Sequence, residues 1–145
     1  MHSIRFTALA AAVLAFGVAQ TALAQGRRGG GGARYDRATV QTVSGTIAAI
    51  DTLPSPRGVG GGLHVELRTA DRTLSVHLGP RAFLEGRGLT LAVGDALQAT
   101  GSLVTWQGQP ALLAASVTKG TVAVQMRDST GVPLWALGRR GGGSR

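Results

Sequence analysis

The sequence predicts an all-β domain built as a small antiparallel barrel, and three observations support this prediction. Apolar and polar residues alternate with a period of two along several segments between residues 40 and 127, as in strands with one buried and one solvated face. Clusters of glycine, proline and aspartate separate these segments, which is typical of turns. A short segment with helical start and stop residues interrupts the strands after the third one.

Three strands are predicted first. Residues 40–51 form the first strand, and the Pro/Gly-rich loop 53–62 ends it. Residues 63–69 and 73–78 alternate in the same way. The Ala70-Asp71 pair near the junction of these two segments predicts a two-residue hairpin turn. We therefore expect an antiparallel meander with one apolar face.

A short helix and three more strands follow. Pro80 suits the first turn of a helix over residues 80–86, and Gly86 is able to end it. Gly101 lies inside the next strand and predicts a sharp bend or a bulge there. Trp135 is expected to return to the barrel and cover one end. The remaining strands are predicted at residues 96–106, 111–118 and 121–127.

Three strands, a short helix and two strands are the order of an OB-fold, a small Greek-key barrel. Two stretches resemble small exported bacterial OB-fold proteins, a periplasmic family of mostly uncharacterised members. They are Val76-His77-Leu78-Gly79-Pro80-x-x-Phe83-Leu84 and Gly94-Asp95-x-Leu97-x-x-x-Gly101-Ser102-x-Val104-x-x-x-Gly108-x-x-x-Leu112. We predict a five-stranded OB-fold barrel with a short helix between strands 3 and 4 and a C-terminal β addition. The resemblance implies no catalytic motif.

Residues 1–24 predict a signal peptide. Arg5 gives a positive start, residues 6–19 are almost all apolar, and Ala22-Leu23-Ala24 matches the small-x-small cleavage pattern. The apolar run of roughly 14 residues is shorter than the roughly 20 that a membrane-spanning helix needs. We expect cleavage after Ala24 and a periplasmic or secreted protein, with an uncleaved N-terminal anchor as the alternative.

The positive charge is concentrated in two flanks. The formal net charge is +8, yet five arginines and five acidic residues balance between residues 38 and 118. We expect a flexible Gly/Arg-rich linker at residues 25–37, a domain with a C-terminal hairpin at 38–137 and a flexible tail at 138–145. The flanks could neutralise an anionic surface polymer or nucleic acid, or serve only as solvated linkers. The arginines concerned are Arg27, Arg28, Arg34, Arg139 and Arg140.

The residue types argue against an enzyme. The chain contains no cysteine, no Gly-x-Ser-x-Gly motif, and only His64 and His77 after the predicted cleavage site. Ser75 would share a face with His77, but an open strand supplies no oxyanion pocket. We therefore expect a non-enzymatic protein without a resident cofactor.

Two histidines are expected to face each other across the predicted hairpin. With a two-residue turn at Ala70-Asp71, His64 lies opposite His77, and Glu66 follows on the same face. Two imidazoles and a carboxylate could bind copper or zinc. A register shift of two residues would instead pair His77 with Glu66 as an ion pair, and histidines without any ligand are the third alternative.

A ligand cleft is expected between two loops. In OB-folds the loops after strand 1 and after strand 4 commonly frame the binding surface, and here these are residues 53–62 and 106–110. We expect Trp106, Arg57 and Arg68 to bind an envelope protein or a small ligand there. Nucleic acid is disfavoured, because strands 2 and 3 offer no aromatic residue on which a base could stack.

Overall fold

A computed structural model describes residues 34–54 and 62–137 of the chain. Its elements follow one another in the predicted order, with three strands before the first α-helix. In chain order they are a 3₁₀ turn (Arg37–Thr39), β1 (Val40–Leu53), β2 (Gly62–Arg68), β3 (Thr73–Pro80), α1 (Arg81–Glu85), β4 (Ala96–Trp106), β5 (Gln109–Lys119), β6 (Val122–Gln125) and α2 (Leu134–Leu137).

The strands form a closed barrel with one additional strand. Neighbouring strands follow the order β3-β2-β1-β4-β5-β6, and β3 also pairs with β5. This last pairing is parallel and closes the five strands β1 to β5 into a ring. The ring order and the short helix after β3 are those of an OB-fold. The predicted all-β OB-like barrel and its β addition are confirmed.

β1 bends so that it belongs to both sides of the barrel. Its first half, from Val40 to Thr46, pairs with β4. Its second half, from Thr46 to Leu53, pairs with β2, and this pairing contains a bulge between Ile47 and Ala49. Such bulges increase local twist and let a strand turn a barrel corner. At Gly45, a side chain would collide with the backbone carbonyl of Arg68, so the bend requires glycine.

The alternating apolar residues fill the barrel as predicted. The inward positions of β2 and β3 are almost fully buried, and Leu84 of α1 closes one end. Phe83 packs against the same core at its edge. The buried isoleucine, leucine and valine residues that β1 to β5 contribute to the core are Ile47, Leu63, Val65, Leu67, Leu74, Val76, Leu78, Leu97, Leu112 and Val117.

The segment after β6 returns to the barrel without forming a second full strand. Arg127 and Pro133 make one bridge, and the chain then turns into α2. Proline has no backbone N–H with which to continue a ladder, so the second arm of the expected hairpin is one bridge and a helical turn. Trp135 of α2 lies against Gly79 and makes an edge contact with Phe83 at 5.5 Å between ring centroids. It covers the barrel as predicted.

The residues just before β1 also lie against the barrel. The backbone N–H of Asp36 donates to Ser102 Oγ at 2.9 Å, and Thr39 Oγ1 lies 2.8 Å from the same atom. Tyr35 packs against Gly131 in the turn after β6. Ordered contacts of the domain therefore begin before residue 38, and the N-terminal and C-terminal segments meet over β4 and β5.

We expect Gly101→Ala to destabilise the protein by about 1–3 kcal/mol. The Cβ would lie 2.7 Å from Ala114 Cα and would also strike the Leu113 carbonyl, where β4 and β5 change register. Urea unfolding measures the effect. Gly86→Ala is the matched control, since its Cβ would come no nearer than 3.1 Å to a neighbouring atom, Ala82 O. Equal losses of unfolding free energy in the two variants would contradict the packing argument.

Candidate functional site

A row of outward-facing residues crosses three strands at the end of the barrel near the β4–β5 turn. Asp51 of β1 is paired with His64 of β2, and His64 is paired with His77 of β3. His77 lies beside Leu113 of β5 through the closing pairing. The predicted register of the β2–β3 hairpin is confirmed, with His64 opposite His77 and Glu66 opposite Ser75.

Three aromatic side chains meet on this row. The imidazoles of His64 and His77 stack with centroids 3.7 Å apart and planes at 18°. The indole of Trp106 meets the His77 ring edge-on at 5.2 Å and 80°. Trp106 ends β4, and the turn after it has positive φ angles at Gln107 and Gly108, as in the two-residue hairpin turns that fit strand twist. A tight turn thus fixes Trp106 beside the histidines.

Burial keeps the imidazole of His77 neutral. Its side chain faces outward but is only 7% exposed. Burial is the main cause that lowers the pKa of His77 to about 4, and the nearby His64 and Arg127 add to the effect. Burial also lowers the pKa of His64, although the carboxylates of Asp51 and Glu66 oppose the shift. A charged imidazole at either position would be poorly solvated.

Two buried nitrogen atoms at this site have no hydrogen-bond partner within the described residues. They are Nε2 of His77 and Nε of Arg127. Arg127 is otherwise held in place, because its Nη1 donates to the Gly131 carbonyl at 3.2 Å and its guanidinium lies 5.2 Å from the Trp135 ring centroid. Buried polar atoms without partners are uncommon in folded proteins. The described residues hold one more, Nε2 of Gln41 near the start of β1, so it is the pair beside the aromatic cluster that marks this surface as a candidate site.

The arrangement does not by itself form a metal centre. Imidazole lone pairs lie in the ring plane, so two nearly parallel stacked rings do not point at one common ion. Across residues 34–54 and 62–137, no group of three or more His, Cys, Asp or Glu side chains is placed to hold a metal. The carboxylate in the row with both histidines is Asp51, and Glu66 lies one step away. Sequence reasoning missed Asp51 because its position depends on the β1 bulge.

The predicted ligand residues are only partly brought together. Trp106 lies in the cluster, but Arg68 is exposed at the opposite end of β2, four residues and roughly 13 Å along the strand from His64. Arg57 lies outside the described residues, together with most of the loop 53–62 in which it was predicted to act. Arg127, which sequence analysis had not singled out, lies against Ala115 of β5, two positions along the strand from Leu113, the partner of His77.

Binding of anionic polymers by the arginines of the flanks stays a prediction. Arg34 is described and is exposed. The other four, Arg27, Arg28, Arg139 and Arg140, lie outside the described residues.

The fold and this cluster define a small OB-like barrel with an aromatic and histidine surface on its outer face. Residues 39–124 match the model of the MamS/MamX magnetosome protein family, and the chain belongs to that family. No curated protein shows a significant match to the chain. The expected barrel is confirmed. The matching family is described as a magnetosome protein family and not as a periplasmic OB-fold family. Among the described residues, no helix is long and apolar enough to cross a membrane.

We expect His77 to stay neutral until the pH falls to about 4. The unfolded chain binds a proton near pH 6.5, so the folded state loses stability as pH falls from about 6.5 towards the folded pKa. NMR titration of the imidazole signals and urea midpoints between pH 7.5 and 4.5 test this. His77→Gln should reduce the pH dependence of the midpoint, and an unchanged pH dependence in this variant would contradict the assignment.

Proposed function

We propose that this chain is an exported, non-enzymatic binding module that engages a partner or a small ligand through the outer face around Trp106. The observation that supports this most directly is the position of Trp106. It is half-buried, it stands at the β4–β5 turn, and it contacts a buried histidine that lacks a hydrogen-bond partner among the described residues. Ligands of OB-folds commonly bind near this turn and on strands 2 and 3.

The site chemistry supports binding over catalysis. A general base needs a pKa near the working pH, whereas burial lowers the pKa of His77 to about 4. Ser75 lies opposite Glu66 and beside Ala111, and no histidine is paired with it in either register. The site therefore holds groups suited to contact and recognition.

The predicted localisation of the protein supports a partner in the cell envelope. The signal-peptide pattern before Gln25 favours export, and the family description favours a role at the magnetosome. We propose that the partner is a component of the cell envelope or of the magnetosome, and that the protein binds it after cleavage following Ala24.

We expect Trp106→Ala to abolish partner binding while leaving the barrel folded, because the side chain contributes contact area at a turn and lies outside the core. The full chain would be expressed in its own host with a photo-crosslinking residue in place of Gln107. The mass of the purified protein should be that of a chain that begins at Gln25. The cross-linked species is expected to disappear in the Trp106→Ala protein.

Gln98→Ala is the matched control for this experiment. Gln98 lies on the same strand as Trp106, is exposed, and is eight positions away. Its replacement should leave the cross-link unchanged. A cross-link that survives Trp106→Ala, or that disappears equally in both variants, would contradict the proposal.

A second candidate function is binding of copper or zinc. The stacked His64 and His77 rings favour it, with Asp51 and Glu66 as neighbouring carboxylates. Coordination would require the imidazoles to rotate out of their stack, so that both lone pairs point to one ion. The unpartnered Nε2 of His77 would then coordinate the ion.

Calorimetric titration with Cu(II) and Zn(II) tests the second candidate. One-to-one binding in the micromolar range or tighter that is lost in His77→Ala would support it. Asp51→Asn and Glu66→Gln then show which carboxylate takes part, and we expect the larger loss from Asp51→Asn because Asp51 lies in the histidine row. Heat that does not exceed dilution would contradict metal binding.

A further inference from the structure

Arg127 is a half-buried cation without a carboxylate partner in the described part of the chain. The ion pairs found there join Arg81 with Glu85 and Lys119 with Asp95. Burial lowers the pKa of Arg127, which shows that its charge is poorly solvated. Removing a guanidinium from water is unfavourable unless an anion or several acceptors compensate for the lost hydration. The Gly131 carbonyl compensates only in part.

The surroundings hold this guanidinium in one place. The backbone N–H of Arg127 donates to the Ala115 carbonyl at 3.1 Å, and the guanidinium faces the Trp135 ring. Trp135 in turn lies against Gly79, two positions along β3 from His77. Arg127 thus lies against Ala115 of β5, and His77 is paired with Leu113, two positions earlier on the same strand; the charge of Arg127 also lowers the pKa of the His77 imidazole. The two side chains therefore border one patch of the outer face.

Both unpartnered nitrogens of this patch are able to donate a hydrogen bond. Nε of Arg127 is always a donor, and Nε2 of His77 is a donor in one neutral tautomer and in the charged form. Both atoms lack partners among the described residues, and the His77 side chain is more than nine-tenths buried. A hydrogen-bond acceptor would therefore satisfy both atoms, and a negatively charged acceptor would also compensate the charge of the Arg127 guanidinium.

We propose that Arg127 and His77 form a carboxylate-binding site that anchors the ligand or partner held by the Trp106 face. This inference rests on the proposed function, since it specifies the chemistry recognised at the same surface. Nη1 of Arg127 is already engaged by Gly131. Nε of Arg127 and Nε2 of His77 are buried and have no partner among the described residues, so each would donate to one oxygen of a carboxylate. Charge-assisted hydrogen bonds of this type are stronger than neutral ones.

The charges around the site set its selectivity. Arg127 places a positive charge beside His77, whereas the carboxylates of Asp51 and Glu66 act on His64. The groups that face His77 are His64, Arg127 and Trp106. Arg127 lies beyond residues 39–124, so the family match does not imply this site.

The test is an NMR titration of the protein purified after expression of the full chain. Succinate and N-acetyl-aspartate methylamide are the probes, representing a free acid and an acidic side chain of a partner. We expect saturable shifts of the Arg127 Nε–H and the His77 imidazole signals with at least one probe. Phosphate is expected to bind more weakly than the better carboxylate, and tighter phosphate binding would overturn the carboxylate assignment.

Variants of the arginine separate the site from general charge. We expect Arg127→Gln to weaken binding about tenfold or more, and Arg127→Lys, which keeps the charge, to weaken it less. Arg72→Gln is the matched control, because Arg72 is exposed at the β2–β3 turn and the same charge is lost. Equal weakening by Arg72→Gln and Arg127→Gln would overturn the site, as would the absence of saturable shifts in the unaltered protein.

Replacement of His77 at a constant pH of 7.5 isolates its role. Weaker binding of the better carboxylate probe to His77→Ala than to the unaltered protein would support the site, and unchanged binding would overturn it. If oxyanions fail to bind while Trp106-dependent cross-linking persists, only this inference fails. If oxyanions bind but the cross-link does not depend on Trp106, the proposed partner surface fails and the carboxylate site stands.

Discussion

The parallel pairing between β3 and β5 is the constraint on which the rest of the structure depends. It consists of three residue pairs, from Ser75 with Ala111 to His77 with Leu113, yet it converts an open sheet into a closed barrel. Closure protects backbone groups that would otherwise form two exposed edges. The same pairing brings His77 beside β5, where Trp106 and the segment after β6 are both within reach. The barrel and the candidate site therefore have one structural origin.

The chain segments outside the barrel determine which part of its outer face stays accessible. Residues around Asp36 cover Ser102, and the segment after β6 covers Ala115. Leu113 and Ala115 are buried although they face outward. The outer face of β2 and β3 keeps half-buried polar side chains. The aromatic and histidine cluster lies at the boundary between the covered and the open surface, which is where a ligand gains both apolar contact and polar recognition.

The polar atoms at this boundary are stabilised less well than the rest of the fold. The barrel satisfies its backbone through strand pairing and fills its interior with aliphatic side chains, but His77 and Arg127 keep buried nitrogens without partners in the described residues. Folding alone gives no reason to keep such groups, since apolar residues of similar size would pack there at lower free energy. Local departures from good packing and hydrogen bonding are characteristic of functional sites. This contrast is the physical basis for placing function on the outer face.

The sequence alone determined the strands, their order, the short helix and the register of the β2–β3 hairpin. Period-two alternation and turn residues are local signals, and the two-residue turn fixes which side chains face each other, so His64 and His77 were paired correctly. The tertiary structure decided which distant residues join them. Asp51 enters the row through the β1 bulge, Trp106 reaches His77 through barrel closure, and Arg127 approaches it through the return of the chain after β6. Arg68, which the sequence analysis predicted as a ligand-binding residue, is exposed at the opposite end of β2 from the histidine. Contacts of this kind depend on closure and long-range packing, and no local pattern in the sequence encodes them.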